Sequence, residues 1–298
     1  MGFERRDNSL FEAILRPCGR VEGLIVKQNM FKTLHDRLGH VSVYTMKKSI
    51  PLVDGVEVEM NASLDQCDIC VISKSKRKSR KASAKLENRA PLELLHSDIQ
   101  GPMKNAGLSG ARYFVPVLDE TTGISMVRPI KKKSEAPAAV KEMIAVMENM
   151  TQKTVKRFRC DNASEFLSKS FQSYLSQKGI KMETSPPYSP QSNGRAEGVQ
   201  QTILSIARCL LSGVREMKDH LCIWDEAVLT ANYLRNRLFS ESCSDGKKTP
   251  YEAFTGNRPD LSFLRIFGSR AFVHIPKVKR SDKLSGRAEV GILVGYNF

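Results

Sequence analysis

Two apolar, strand-like runs of this chain each stop on an aspartate, and a third acid opens a helix-patterned segment further along. Asp98 closes Leu94-Leu95-His96-Ser97-Asp98-Ile99, and Asp161 closes Val155-Lys156-Arg157-Phe158-Arg159-Cys160-Asp161. Glu197 follows Pro190-Gln191-Ser192-Asn193-Gly194, with 35 residues (162 through 196) between Asp161 and itself. Carboxylates from two strand ends and one helix start can hold a pair of divalent ions, and paired ions suit in-line attack at a phosphodiester. Any one of these acids alone reads more readily as a cap or a surface residue. Around Glu197 the setting differs: Val199, Ile203, Ile206 and Leu210 form one apolar face, and Glu197 falls outside it. Such a helix is anchored by its core face while its first turn presents the acid.

The rest of the chain fits a polynucleotide as substrate. Lys and Arg outnumber Asp and Glu by 47 to 32, for a formal charge of +15 and a pI near 9.6. That excess favours a polyanionic partner through counterion release and carries no sequence preference. No run of eighteen apolar residues occurs, so a membrane span is not expected. Met1 to Asp7 are charged with no apolar segment after them, so no secretory signal is read, and seven cysteines then point to a reduced, intracellular protein.

At 298 residues the chain has room for roughly two domains and divides into four stretches. Residues 1–30 lack a strong pattern and read as a linker or polyprotein remnant. Residues 31–86 hold the histidine and cysteine pairs and a basic run. Residues 87–248 alternate strands, at 94–99, 111–118, 124–130 and 155–160, with helices at 135–150, 168–178 and from 194 onward. That order predicts an α/β domain with a mixed sheet. Residues 249–298 contain short apolar runs such as Ala271-Phe272-Val273-His274-Ile275, which read as a small β region cut short at Phe298.

His35 and His40 are spaced H-x4-H, and Cys67 and Cys70 are spaced C-x2-C, drawn from five histidines and seven cysteines. Two N/S pairs match a closed tetrahedral zinc site that would hold together a segment with little core. The alternative is a pair of surface histidines and buried cysteines; both pairs in order favour structural zinc. Next come Lys74, Lys76, Arg77, Lys78, Arg80, Lys81 and Lys85 with no acid before Glu87. Such a run serves as a solvated linker or localisation signal, or else tracks a phosphate backbone. No aromatic residue interrupts it, so base stacking is not indicated.

These segments together resemble the integrase region of a Ty1/copia-type retrotransposon polyprotein. The matching residues are Leu34-His35-Asp36-Arg37-Leu38-Gly39-His40, Cys67-Asp68-Ile69-Cys70, Leu95-His96-Ser97-Asp98-Ile99-Gln100-Gly101-Pro102, Cys160-Asp161-Asn162-Ala163-Ser164-Glu165-Phe166 and Ser189-Pro190-Gln191-Ser192-Asn193-Gly194-Arg195-Ala196-Glu197. Trp224-Asp225-Glu226-Ala227, Asn236-Arg237, Thr249-Pro250-Tyr251-Glu252 and Phe267-Gly268 extend the match, so that it covers about residues 31–298. The resemblance implies a ribonuclease-H-like integrase catalytic core, a small N-terminal zinc-binding helical module and a C-terminal SH3-like β region. It implies that Asp98, Asp161 and Glu197 bind two Mg²⁺ (or Mn²⁺) ions, and that a 3′-hydroxyl of element DNA attacks a target phosphodiester without a covalent protein intermediate. Double-stranded DNA, a homo-oligomer and a nuclear site of action, preceded by cytoplasmic particles, are the partners and location expected. Lys74, Lys76, Arg77, Lys78, Arg80, Lys81, Asn162, Asn193 and Arg195 are the expected nucleic-acid contacts, with Glu165 a weaker one, and Cys160 is read as a buried strand residue. The chain departs from the family at Ala163-Ser164, at Gly198 and Gln200, where an arginine and an asparagine are usual, and at Asp119-Glu120. Two other classes fit the same residues: a metal-dependent nuclease that does not join strands, and a catalytically silent nucleic-acid binder.

Overall fold

In the computed structural model the described residues are 2–5, 11–14, 30–56, 64, 66–74, 90–161, 163–184, 194–214, 220–282 and 286–296. In the first stretch Gly2–Arg5 (β1) pairs antiparallel with Phe11–Ile14 (β2), order that the sequence pattern did not announce. Three short helices follow: Met30–Arg37 (α1), Val43–Ser49 (α2) and Asp68–Lys74 (α3). The Ser42 hydroxyl caps α2 by accepting from the Thr45 amide.

The central sheet has five strands. Leu94–Ser97 (β3), Tyr113–Asp119 (β4) and Ser125–Ile130 (β5) run as an antiparallel meander. After Ala136–Thr151 (α4) the chain returns as Arg157–Cys160 (β6), parallel to β3, and after Lys169–Gln177 (α5) as Lys181–Thr184 (β7), parallel to β6. The spatial order is β5-β4-β3-β6-β7. The mixed sheet is therefore the one expected, with strand and helix limits within two residues of the sequence pattern. Only β7 went unread: none of its four residues is buried, so this edge strand offers no apolar alternation.

Both faces of the sheet are covered. Successive β4 side chains point to opposite sides, Val115 and Val117 to one and Phe114 and Leu118 to the other. On the first side lie Val140, Met143, Ile144 and Met147 of α4 and Phe171 and Leu175 of α5, with Phe158, Phe166 and Phe171 in mutual aromatic contact. On the second side lie Gly194–Gly213 (α6) and Trp224–Arg237 (α7). Helix α7 is buried almost throughout, polar residues included. Asn232 and Asn236 donate to the Ser125 carbonyl at 2.9 and 2.7 Å, and Arg235 donates to the Gly123 carbonyl at 2.7 Å. Burial pulls the Arg235 guanidinium down to about 10.

The second core does not stop at the sheet. Phe31, Leu34, Leu38, Val41 and Met46 belong to the same cluster as Ile203, Ile206 and Leu210 of α6. Gly39 has φ +70°, and a Cβ there would stand 2.7 Å from Ile206 Cγ2, so the chain crosses α6 where only glycine fits. Ser73 and Ser212 hydroxyls meet at 3.0 Å, joining α3 to the far end of α6.

The last stretch differs from the expectation at its start. Pro250–Thr255 (α8) is a helix, because Thr249 Oγ1 accepts from the Glu252 amide at 3.1 Å and Pro250 stands at its first turn. Leu261, Leu264 and Phe267 then enter the core shared by α1 and α6, and Arg258 pairs with Asp54 at 3.0 Å. The described β structure of this stretch is one antiparallel ribbon, Arg270–His274 (β8) with Ala288–Ile292 (β9). Among the described residues no helix is long and apolar enough to cross a membrane.

Gly198 is exposed, and a Cβ placed on it meets nothing within 4 Å. Gly198→Ala should therefore stabilise α6 by about 0.5–1 kcal/mol, a rise of roughly 1–4 °C in the thermal midpoint followed by circular dichroism. An unchanged or lower midpoint would show that glycine is required there.

Candidate active site and metal centre

Parallel pairing of β3 with β6 sets the first part of the site. Leu94 faces Arg157 and His96 faces Arg159, an offset of 63 residues that also relates Asp98 to Asp161. The two aspartates thus leave adjacent strands, about 5 Å apart in the pairing direction, at the same edge of the sheet. Asp161 accepts from the Ala163 amide at 3.2 Å. Burial raises its carboxyl above the usual range, the Ala163 amide opposes this, the nearby Asp98 charge adds to it, and Lys133 offsets part. Cys160 is fully buried, its thiol pushed up to about 12 by burial and by both aspartates, so it is an inert strand residue as expected. A divalent ion between the carboxylates would relieve their repulsion, and an all-oxygen donor set suits Mg²⁺.

Asp98 is held from three directions. Its Oδ1 accepts from the Ile99 amide at 2.7 Å, and its Oδ2 accepts from Gln100 Nε2 at 3.1 Å and Gln200 Nε2 at 3.3 Å. Gln100 Nε2 also donates to Gln200 Oε1 at 3.0 Å. Gln200 is buried, one turn beyond Glu197 on α6. This contact brings the first turn of α6 to the strand edge, and the three-residue spacing sets half-buried Glu197 on the same side of the helix. Among the described residues the one group of acids, histidines and cysteines close enough to share a metal ion is the His/Cys cluster below, and the three carboxylates do not form another. Asp119 takes no part. It lies opposite Leu95 toward the other end of the sheet, accepting from the Leu92 and Thr122 amides at 2.9 Å each.

Gln100 and Gln200 are the site residues that sequence reasoning missed. Gln200 had been visible only as a departure from the family pattern. The available signal was its spacing from Glu197, which places a long amide on the acid's own face of the helix.

The second cluster matches its sequence pattern in full. One ligand atom from each of His35, His40, Cys67 and Cys70 lies within 4.8 Å of the others. Cys70 Sγ is 3.2 Å from His35 Nε2, and Cys67 Sγ is 3.5 Å from His40 Nδ1. His40 has φ +60°, and both histidines are buried at the foot of α1. Burial lowers the His35 pKa, and burial together with His35 pushes His40 down to about 4, so both rings are neutral and can offer lone pairs near neutrality. Burial pushes the Cys70 thiol up to about 11. The donors therefore fit a closed zinc site that takes metal with loss of thiol protons.

Of the expected nucleic-acid contacts, Lys74 ends α3, where its ammonium donates to the His40 carbonyl beside the His/Cys cluster. Lys76, Arg77, Lys78, Arg80, Lys81, Asn162, Asn193 and the side chain of Arg195 lie outside the described residues. Glu165 is partly exposed next to Asp161, and its Oε2 accepts from Ser164 Oγ at 3.1 Å.

Residues 88–190 match the family described as Integrase core domain. Over 267 residues, 88% of this chain, the sequence is 33% identical to the retrovirus-related Pol polyprotein from transposon TNT 1-94 of Nicotiana tabacum. Over 264 residues it is 28% identical to that from transposon RE2 of Arabidopsis thaliana. The chain spans only 19% and 17% of these polyproteins. Among solved structures, the HTLV-2 integrase catalytic core domain in complex with magnesium aligns at 19% identity and TM-score 0.43, covering 56% of this chain and 99% of that one. A chain of the simian T-cell lymphotropic virus intasome in complex with PP2A regulatory subunit B56 gamma aligns at 16% identity and TM-score 0.47, covering 75% of this chain and 77% of that one. By the family match residues 88–190 are similar to integrase core domains. Over 88% of its length the chain is similar to copia-type retrotransposon Pol polyproteins.

Removing the Gln200 amide leaves half-buried polar groups on Asp98 and Gln100 short of a partner. Gln200→Ala should cost about 1–2 kcal/mol in denaturant unfolding, whereas Gln200→Glu, which puts a second carboxylate against Asp98, should cost more. For the metal-free chain, the lowered histidine pKa values set the sign of the pH dependence. Unfolded histidine takes a proton near 6.5, while folded His40 resists until about 4. Stability is thus full above pH 6.5 and falls as pH drops from 6.5 toward 4, measurable as a declining midpoint over that window.

Proposed function

We propose that this chain is a retrotransposon integrase that joins the 3′ ends of element cDNA to target DNA, with Asp98, Asp161 and Glu197 as its catalytic acids. The observation that carries the reading is the placement of Asp98 and Asp161 on neighbouring parallel strand ends, with the first turn of α6 drawn onto Asp98 by Gln200. Two Mg²⁺ or Mn²⁺ ions, when bound, would activate the attacking 3′-hydroxyl and stabilise the leaving oxygen of the target phosphodiester. Asp98 and Asp161 supply fixed oxygens from the sheet, and Glu197 supplies another from the helix. The Ile99 amide and the two glutamine amides restrict Asp98 to one orientation before any ligand arrives. No nucleophilic side chain is required, in keeping with the inert Cys160.

In the same reading His35, His40, Cys67 and Cys70 hold one structural zinc ion, with all four positions filled by protein and none left for chemistry. The basic run from Lys74 to Lys85, with Asn162, Asn193 and Arg195, contacts double-stranded DNA. Joining two DNA ends calls for a homo-oligomer, and chromosomal target DNA places the reaction in the nucleus after assembly in cytoplasmic particles.

The test is strand transfer of a labelled duplex carrying the element's terminal sequence, with Mg²⁺ or Mn²⁺. Glu197→Gln should lower joining by at least about 1000-fold, the loss of several kcal/mol of charge stabilisation, with duplex binding retained. Cleavage without joining by the native protein would identify a nuclease instead. Binding with no chemistry from a folded, zinc-loaded protein would identify a silent binder.

A further inference from the structure

The meander carries a second feature to the edge where the aspartates stand. Because β4 runs against β3, with Gln100 bridged to Phe114, the start of β4 lies beside the residues that follow Asp98. Because β5 runs against β4, with Tyr113 facing Ile130, the end of β5 lies at that edge too. The chain leaves β5 as Lys131-Lys132-Lys133, all exposed, about 10 Å across two strand spacings from β3. Exposed Arg112 and Lys104 come from the loop before β4. That loop is fastened to the same place: the Arg112 amide donates to the Ile130 carbonyl at 3.0 Å, and a Cβ on Gly110 would stand 3.4 Å from Lys131 Cε.

We propose that Lys104, Arg112, Lys131, Lys132 and Lys133 form a ledge that binds the phosphate backbone of duplex DNA and lays it across Asp98 and Asp161. The proposal rests on the integrase reading above and adds the surface that receives the duplex. Three observations carry it. Residues 99–118 and 121–134 contain no acid. Among the described residues none of the five cations is in an ion pair, whereas Arg157, Arg159 and Lys178 elsewhere on the domain are paired. Glu135 stands next to the ledge, but its Oε2 is occupied by the Lys131 amide at 2.9 Å. Lys133 reaches toward the acids, since its charge acts on Asp161, and its ammonium lies 5.9 Å from the Tyr113 ring centre. With no exposed aromatic side chain on it, the ledge reads phosphates and not bases, so its binding is independent of sequence.

The experiment is a fluorescence-anisotropy titration of a random-sequence duplex over a salt series, using the full chain loaded with zinc. Native protein is compared with the triple variant Lys131→Ala, Lys132→Ala, Lys133→Ala and with a control triple, Lys153→Ala, Lys156→Ala, Lys181→Ala. The control residues are exposed near the opposite ends of β6 and β7, and their removal changes the net charge equally. The ledge variant should bind tenfold or more weakly, with the log–log salt slope shallower by up to about 3, while the control stays close to native. Equal weakening of both triples would reduce the ledge to general charge and overturn the proposal, as would a ledge variant that binds like the native protein. A thermal melt of each variant separates misfolding from lost contacts; if the triple melts early, Lys132→Glu alone carries the comparison. Native protein that joins strands while the ledge variant binds unchanged sinks only the ledge. Native protein that binds no duplex at any salt sinks the integrase reading and the ledge with it.

Discussion

The packing of α6 is the constraint on which most of this structure depends. Its apolar face, Val199, Ile203, Ile206 and Leu210, is buried against the sheet, α7 and the small N-terminal helices at once. Each such side chain contributes about 1.5–3 kcal/mol when withdrawn from water, so the helix is fixed by its own stripe over most of its length. The polar side of its first turn is then set without further cost. Glu197 and Gln200 face the strand edge because Ile203 and Ile206 must face inward. The His/Cys cluster lies near the other end of the helix, where Gly213 is 3.9 Å from His40 Nε2, measured from a built Cβ. From Glu197 to Gly213 is about 24 Å of helix. One rigid element therefore spans the distance between the proposed structural metal and the proposed catalytic one.

The two centres solve opposite electrostatic problems. At the His/Cys cluster burial acts on groups that become ligands by being neutral or by losing a proton, so the folded chain holds neutral histidine rings ready and keeps the Cys70 thiol protonated until a metal displaces the proton. At the strand edge burial and the nearby Asp98 charge act on Asp161, and the chain surrounds the two aspartates with donors: the Ile99 and Ala163 amides, two glutamine amides and the charge of Lys133. Those hydrogen bonds orient the two aspartates. A divalent ion entering there exchanges amide hydrogen bonds for metal–oxygen bonds, which is a smaller reorganisation than gathering free side chains.

Much of this was legible in the sequence because it is local. Strands ending on Asp98 and Asp161 are apolar runs with a single acid at the end, and H-x4-H with C-x2-C is a spacing that side chains alone enforce. The rest depends on contacts distant in sequence. Gln200 reads as an outward-facing polar residue until its partner Asp98, more than a hundred positions earlier, is known to lie over it. Asn232, Arg235 and Asn236 break the apolar stripe of α7, and the buried carbonyls of Gly123 and Ser125 that accept from them explain why they are buried. The N-terminal helices look like a separate module in sequence, yet their apolar residues share one core with α6. Pro250 and Thr249 carried a helix-start signal that the apolar runs further on outweighed.

Hydrogen–deuterium exchange along α6, measured with the His/Cys metal in place and after its removal by a zinc chelator, tests this account most directly. If α6 is the shared element, protection should fall over residues 194–213 together with residues 30–74, and the loss should reach the first turn at Glu197 and Gln200. Loss confined to residues 30–74, with α6 as protected as before, would show that the N-terminal helices are a dispensable attachment and that the strand edge is held without them.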